Sequence, residues 1–486
     1  MNHSTLVLQI QLARFKREKG MLIFYGLTIV IVGIIVPMAM GGMGSSLTMA
    51  ALLTTTFLKP LLSDSVAGER DHRTLEPLLS SPMSGKSIVW GKARFCLCFA
   101  IVFFGLIVLC ATLTNWLRGS AGQSGLIGLT GNEGTMAVWQ WMGILLMALF
   151  NFGAIALSGV YLSATSADMR TANSRVSRAA YPMGMIFLIY TAVIVLVDRT
   201  TAALMGMTLI FIYLCIILFF AIKLSTMKQS DYYENIKSKA VRATHQNHLV
   251  MGTPKSSFGT VFCFELKYLL TLKLMLLNFA GMCATPALIA CVLPQYTGVF
   301  DLNYAVFTTI LLIPRVPTNL IAYSIGGEKV YKTGESLLAT PLPARSIVLA
   351  KCMVPLLVST VMLAVSALIT LLVVTVYGWI RPEFILVDHY TIGQLVLLFP
   401  VGIMSSMLMI ALSAIASVLM KTPRHGLYVT SIISILFVLP VVAIVYGTTD
   451  HLRWSLIYLA VLLIGNAICI KGILGRTTRP QIMRYL

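Results

Sequence analysis

The chain is short of charge. Only 11% of its 486 residues are Asp, Glu, Lys or Arg, against 58% hydrophobic, and its mean hydropathy is +0.87. Soluble proteins carry about 25% charged and about 45–50% apolar residues. The deficit excludes an ordinary soluble enzyme and a disordered chain, and it leaves a polytopic membrane protein. Acid is scarcer than base: 17 Asp and Glu stand against 36 Lys and Arg, a formal charge of +19. A disulfide framework is missing too. The nine cysteines are odd in number, eight fall in or beside apolar runs, and no spacing resembles a zinc site, so they read as small buried hydrophobes and no metal site is expected. No cleavable leader is expected, because the first apolar run begins at Met21 after a basic lead and is long enough to span.

What the chain has is apolar runs. A spanning helix needs about 20 apolar residues. Twelve runs qualify: 21–40, 45–63, 94–115, 138–160, 180–197, 203–222, 275–293, 304–324, 353–378, 392–418, 427–446 and 454–472. Lipid offers backbone amides no partners, so the spans are expected to be helical. With the N-terminus inside, the inner segments hold 30 Lys and Arg and 11 acids, and the outer loops hold four and six. Cytoplasmic loops collect Lys and Arg, so this imbalance places both termini in the cytoplasm of a cell (inner) membrane. The basic charge is then orientation and contact with membrane lipids, not nucleic acid.

An internal repeat organises the chain. Residues 67–92 read AGERDHRTLEPLLSSPMSGKSIVWGK and residues 326–351 read GGEKVYKTGESLLATPLPARSIVLAK. Eleven of 26 positions match without gaps, among them Gly68/Gly327, Glu69/Glu328, Thr74/Thr333, Glu76/Glu335, Leu78/Leu337, Leu79/Leu338, Pro82/Pro341 and Lys92/Lys351. Each copy follows the second span of a six-span set. The expectation is an all-α polytopic membrane protein whose twelve transmembrane helices form two parallel six-helix repeats. The first six-span half covers 1–222, a basic cytoplasmic linker 223–261, and the second half 262–486. Two like-facing cytoplasmic loops suit a two-fold partner.

Each loop is too long for a turn. Asp64 to Leu79 can continue the second span as helix into the cytoplasm, Pro82 stops it, and Ser84 can cap the helix leading into the third span. The loop mixes Glu69, Arg70, Asp71, Arg73 and Glu76 with the apolar pair Leu78 and Leu79. A segment resting on lipid headgroups is one reading. Carboxylates kept in register in both copies favour a docking element, because anionic lipid repels them.

These residues resemble the loop after the second span of ABC-2-type exporter permeases, in the form with two fused six-span halves. In that family a glutamate near the cytoplasmic end of the second span precedes a short coupling helix that seats on the ATP-hydrolysing subunit. The resemblance implies coupling roles for Glu69, Arg70, Thr74, Glu76, Leu78 and Leu79, and for Glu328, Lys329, Thr333, Glu335, Leu337 and Leu338. It implies a transmembrane permease that forms the translocation path and docks an ABC ATPase, expected in two copies, with accessory subunits possible. Leu6–Lys19 and Val261–Lys273 fit the family's interfacial elbow helices. Gly334 stands where the first copy has Leu75, which weakens helix there by about 1 kcal/mol.

A nucleotide site is absent from the sequence. A phosphate-binding loop needs G-x-x-x-x-G-K-[ST]. Around Gly85-Lys86-Ser87, Ser80 stands where the first glycine belongs. The chain is therefore not expected to be an enzyme, and ATP and magnesium enter only through the partner subunit. Arg315 lies about 17 Å into a span, beside Pro314 and Pro317. It reads either as a translocation-path contact or as a structural pair that snorkels. Asn151 reads as an interhelical hydrogen bond or a path contact, and Lys59 as a snorkelling cation. An ion-coupled secondary transporter is the alternative, although no acid or histidine lies within a span; a membrane scaffold is another.

Overall fold

Apolar runs parted by short polar joints give helices nearly everywhere. The computed structural model describes residues 3–17, 19–35, 43–71, 83–120, 138–166, 169–196, 199–227, 257–271, 279–287, 299–300, 302–314, 316–318, 320–321, 324–325, 343–380, 385–386, 390–419, 433, 437, 439–445 and 450–476. The chain divides into two compact units, one built from 1–123 with 131–250, the other mainly from 251–486.

The first unit holds α1 (His3–Arg17), α2 (Lys19–Val30), α3 (Met43–Ser63), α4 (Gly85–Ser120), α5 (Val138–Ala164), α6 (Met169–Leu196) and α7 (Arg199–Thr226). A wide π turn, Asp64–Gly68, extends α3 and leads to a last helical turn, Glu69–Asp71. The helix thus continues past the span, as the sequence suggests, though in a wider form; the remainder of that loop, 72–82, lies outside the described residues. Helix α4 starts where Ser84 predicts: the Ser87 amide donates to the Ser84 hydroxyl at 3.3 Å.

Helix α1 packs on α4, while α3 packs on α4, α5 and α6. Phe15, Tyr25, Phe99 and Phe103 interlock edge to face along this seam, and the Tyr25 hydroxyl donates to the Phe57 carbonyl. Two glycines allow close approach. A Cβ on Gly91 would lie 2.6 Å from the Val7 Cβ, and one on Gly159 would lie 2.7 Å from Leu62 Cδ1. These contacts set the α1–α4 and α3–α5 spacings.

The second unit holds α8 (Ser257–Thr271), α9 (Leu302–Leu312), α10 (Ala344–Ile380), α11 (Ile392–Val396), α12 (Gly402–Leu419) and α13 (His451–Arg476). Thr391 and Gln394 form a reciprocal cap on α11, and a π turn containing Pro400, which lacks an amide hydrogen, joins it to α12. Helix α8 packs on α10 as α1 packs on α4. Leu269, Ile313, Val354 and Leu363 form the core of that seam. Two short strands, β1 (Val299–Phe300) and β2 (Ile385–Leu386), pair in parallel.

Among the described residues six helices are long and apolar enough to cross a membrane: Gly85–Thr114, Trp139–Ala164, Thr200–Thr226, Arg345–Val376, Ile392–Ser417 and His451–Gly472. They coincide with six of the twelve expected spans. The protein is an integral membrane protein, nearly all helical. Of the other six runs, some fall on helices that are shorter or led by polar residues, and the rest lie partly outside the described residues. Residues 304–324 break after Leu312 at a turn over Ile313 and Pro314. Helix α6 spends its first turns on Arg170, Arg175 and Arg178.

Candidate functional site

The root of the first repeated loop is built from five segments of one unit. Where α3 widens into its π turn, backbone amides leave the α-helical register. Ser163 of α5 takes two of them: its hydroxyl accepts from Val66 at 3.2 Å and Ala67 at 3.1 Å, and donates to the Ser63 carbonyl at 2.9 Å. Ser163 is fully buried, so the turn is pinned inside the protein.

Glu69 follows at once. Its carboxylate forms an ion pair with Lys92 of α4, and its other oxygen accepts from Gln11 of α1 at 3.3 Å. Lys92 also donates to the Ser65 carbonyl. Lys92 is 1% exposed and Glu69 6% exposed. Water is excluded from this pair, so removing one partner breaks a buried ion pair, at a cost of about 3–5 kcal/mol.

Arg70 turns the other way. Its guanidinium donates to the Ser166 carbonyl and, at 3.0 Å, to the Ala164 carbonyl. Arg175 of α6 donates to the Thr165 carbonyl at 3.1 Å. Two cations thus close the C-terminal end of α5, where helix carbonyls lack partners and the dipole favours positive charge. Displacement of residues 64–70 would therefore pull on α1, α4 and α5 together.

Of the residues singled out in the sequence, Glu69 and Arg70 come together here, facing the protein rather than the solvent. Thr74, Glu76, Leu78, Leu79, Glu328, Lys329, Thr333, Glu335, Leu337, Leu338 and Arg315 lie outside the described residues. Asn151 is fully buried in α5 beside Phe152, and among the described residues neither its amide nitrogen nor its oxygen has a hydrogen-bond partner. Lys59 corrects the snorkelling expectation. It is 5% exposed, with its ammonium 3.1 Å from the centroid of the Tyr181 ring of α6. An aromatic face can receive a cation that the helix turns inward.

Sequence reasoning missed Gln11, Lys92 and Ser163. It also missed a second cluster in the other unit. Lys351 of α10, 5% exposed, binds Glu265 of α8 at 2.5 Å and the Ser324 hydroxyl at 3.0 Å. A signal existed in Lys92/Lys351, a cation shared by both repeats at the head of an apolar helix.

Residues 199–454, just over half of the chain, match the sequence model of a family described as ABC-2 family transporter protein. That stretch includes the second repeated loop and excludes the first. No curated protein matches the chain.

Proposed function

We propose that this chain, which belongs to the ABC-2 transporter family, is a permease that couples separate ATPase subunits to an export path through its two repeated loops. ABC-2 permeases are the membrane component of ABC transporters and are not themselves catalytic. The finer reading has twelve spans in two fused halves, two ATPase subunits seated on the loops, and both termini in the cytoplasm. ATP and magnesium are bound and used by the partner. Arg315 and Asn151 are the residues assigned to the translocation path.

The observation that carries the coupling role is the buried Glu69–Lys92 pair at the root of the first loop. It joins the loop to the third-span helix α4, while Ser163 and Arg70 join the same root to α5. A push on the loop by a closing ATPase dimer would reach the spans through rigid, water-free contacts. The family match favours this reading over an ion-coupled transporter.

The repeated leucines test it. Leu78→Asp with Leu337→Asp should leave membrane insertion intact and abolish transport-coupled ATP turnover in the reconstituted complex. Undiminished turnover would remove the coupling assignment.

A further inference from the structure

We propose that Arg178 and Arg175 of α6 bind the phosphate of an anionic phospholipid of the bilayer, with its acyl chain laid along the outer line of the same helix. This site goes beyond the coupling reading and does not rest on it.

Helix α6 starts beside the loop root. Arg175 marks the place, because its guanidinium donates to the Thr165 carbonyl just past α5, two residues from the Ser163 that pins the root. Arg178 is one turn further along the same face. It is half-buried, and its Nε is buried with no hydrogen-bond partner among the described residues. Among those residues neither arginine forms an ion pair. Burial, and then the Arg175 charge, lower the Arg178 pKa from its usual value. Two like charges are thus set side by side and partly withdrawn from water, an arrangement that an anion between them relieves.

The surroundings select the anion. Arg178 stands two residues before the expected span 180–197, at the level of the lipid headgroups. From it Pro182, Met185 and Ile189 follow at four, seven and eleven residues, one line along the helix. Pro182 is exposed, Met185 half-buried and Ile189 49% exposed. A guanidinium at the head of an exposed apolar line matches a phosphate that carries a hydrocarbon chain. Its fork of N–H donors takes two phosphate oxygens at once, and Arg175 supplies a second charge. The proposed sidedness puts this end at the cytoplasmic leaflet, where anionic lipid gathers. A phosphate held here offsets the repulsion between the two arginines and braces the end of α5 that Arg175 closes.

The full chain, stripped of lipid in detergent and titrated with phosphatidylglycerol, tests the site by native mass spectrometry and thermal unfolding. Phosphatidylglycerol should bind saturably and raise the unfolding temperature. Arg178→Gln should weaken the tightest binding about tenfold, the loss of a hydrogen bond between charged groups. Arg178→Lys keeps the charge without the fork and should fall between. Lys16→Gln removes an exposed cation of α1 and should change nothing. Equal losses in Lys16→Gln and Arg178→Gln would mean diffuse attraction to basic charge and would overturn the site. Phosphatidylcholine with the same chains should bind more weakly; equal binding would remove the preference for an anion. Inorganic phosphate alone should leave the unfolding temperature unchanged. A rise equal to that from the lipid would make the ligand a free phosphate and overturn the lipid assignment. Without lipid, Arg178→Gln relieves a repulsion and should unfold at the same temperature or higher. Earlier unfolding, or a failure to fold, would make Arg178 a structural residue and overturn the inference.

Discussion

At the residue scale the central feature is a lysine and a glutamate that water does not reach. Glu69→Gln takes the ion-pair partner from a buried lysine, and should lower stability by about 3–5 kcal/mol. Glu69→Leu with Lys92→Met removes both charges and should recover most of that loss, measured by thermal unfolding in detergent. A double variant as unstable as Glu69→Gln would mean that the pair acts through packing instead. Asn151 makes the opposite prediction. Its amide is buried without a hydrogen-bond partner among the described residues, which costs about 1–3 kcal/mol, so Asn151→Leu should leave stability unchanged or raise it. If Asn151 lines the path, the same variant loses transport while gaining stability. Glu69 and Arg70 were legible in the sequence because they recur or sit beside a repeat. Gln11 was not, since a glutamine on an amphipathic helix looks like any other solvated polar residue.

At the element scale, the π turn after α3 is the joint between span and loop. Nothing in Asp64-Ser65-Val66-Ala67-Gly68 announces a wide turn, because what stabilises it is Ser163, nearly a hundred residues away. Ser163→Ala removes the acceptor for two buried amides and should cost about 1–3 kcal/mol. Ser163→Thr, which keeps the hydroxyl, should cost less; equal losses would point to packing. Helix existence was legible from the apolar runs, and the α4 start from Ser84. The break after Leu312 was foreshadowed by Pro314, although the sequence reading carried the span through it. The inward turn of Lys59 was not foreshadowed, because its aromatic partner Tyr181 lies on another helix. The α1–α4 contact at Gly91 is tight enough that Gly91→Leu should lift α1 from α4. Exchange protection lost across 3–17, with α6 unchanged, would show it.

At the scale of the whole molecule, the chain reads as a membrane protein from its charge deficit alone, and the proposed sidedness rests on where the charge lies. Protease sites inserted in the 223–261 linker and in the 116–137 loop should be cut from opposite faces of sealed vesicles; cutting from the same face would break the span count in the first half. The repeat singled out the two loops, which the proposed function makes docking elements. It was silent on what holds the root of the first loop, because Gln11 and Ser163 lie far from the repeated stretch. The most direct measurement is to purify the chain from its native membrane in mild detergent and identify its companions by mass spectrometry. The account predicts a P-loop ATPase at about two copies per chain, as two like-facing loops would require. Recovery of the chain alone, with transport that follows an ion gradient and ignores ATP, would contradict it.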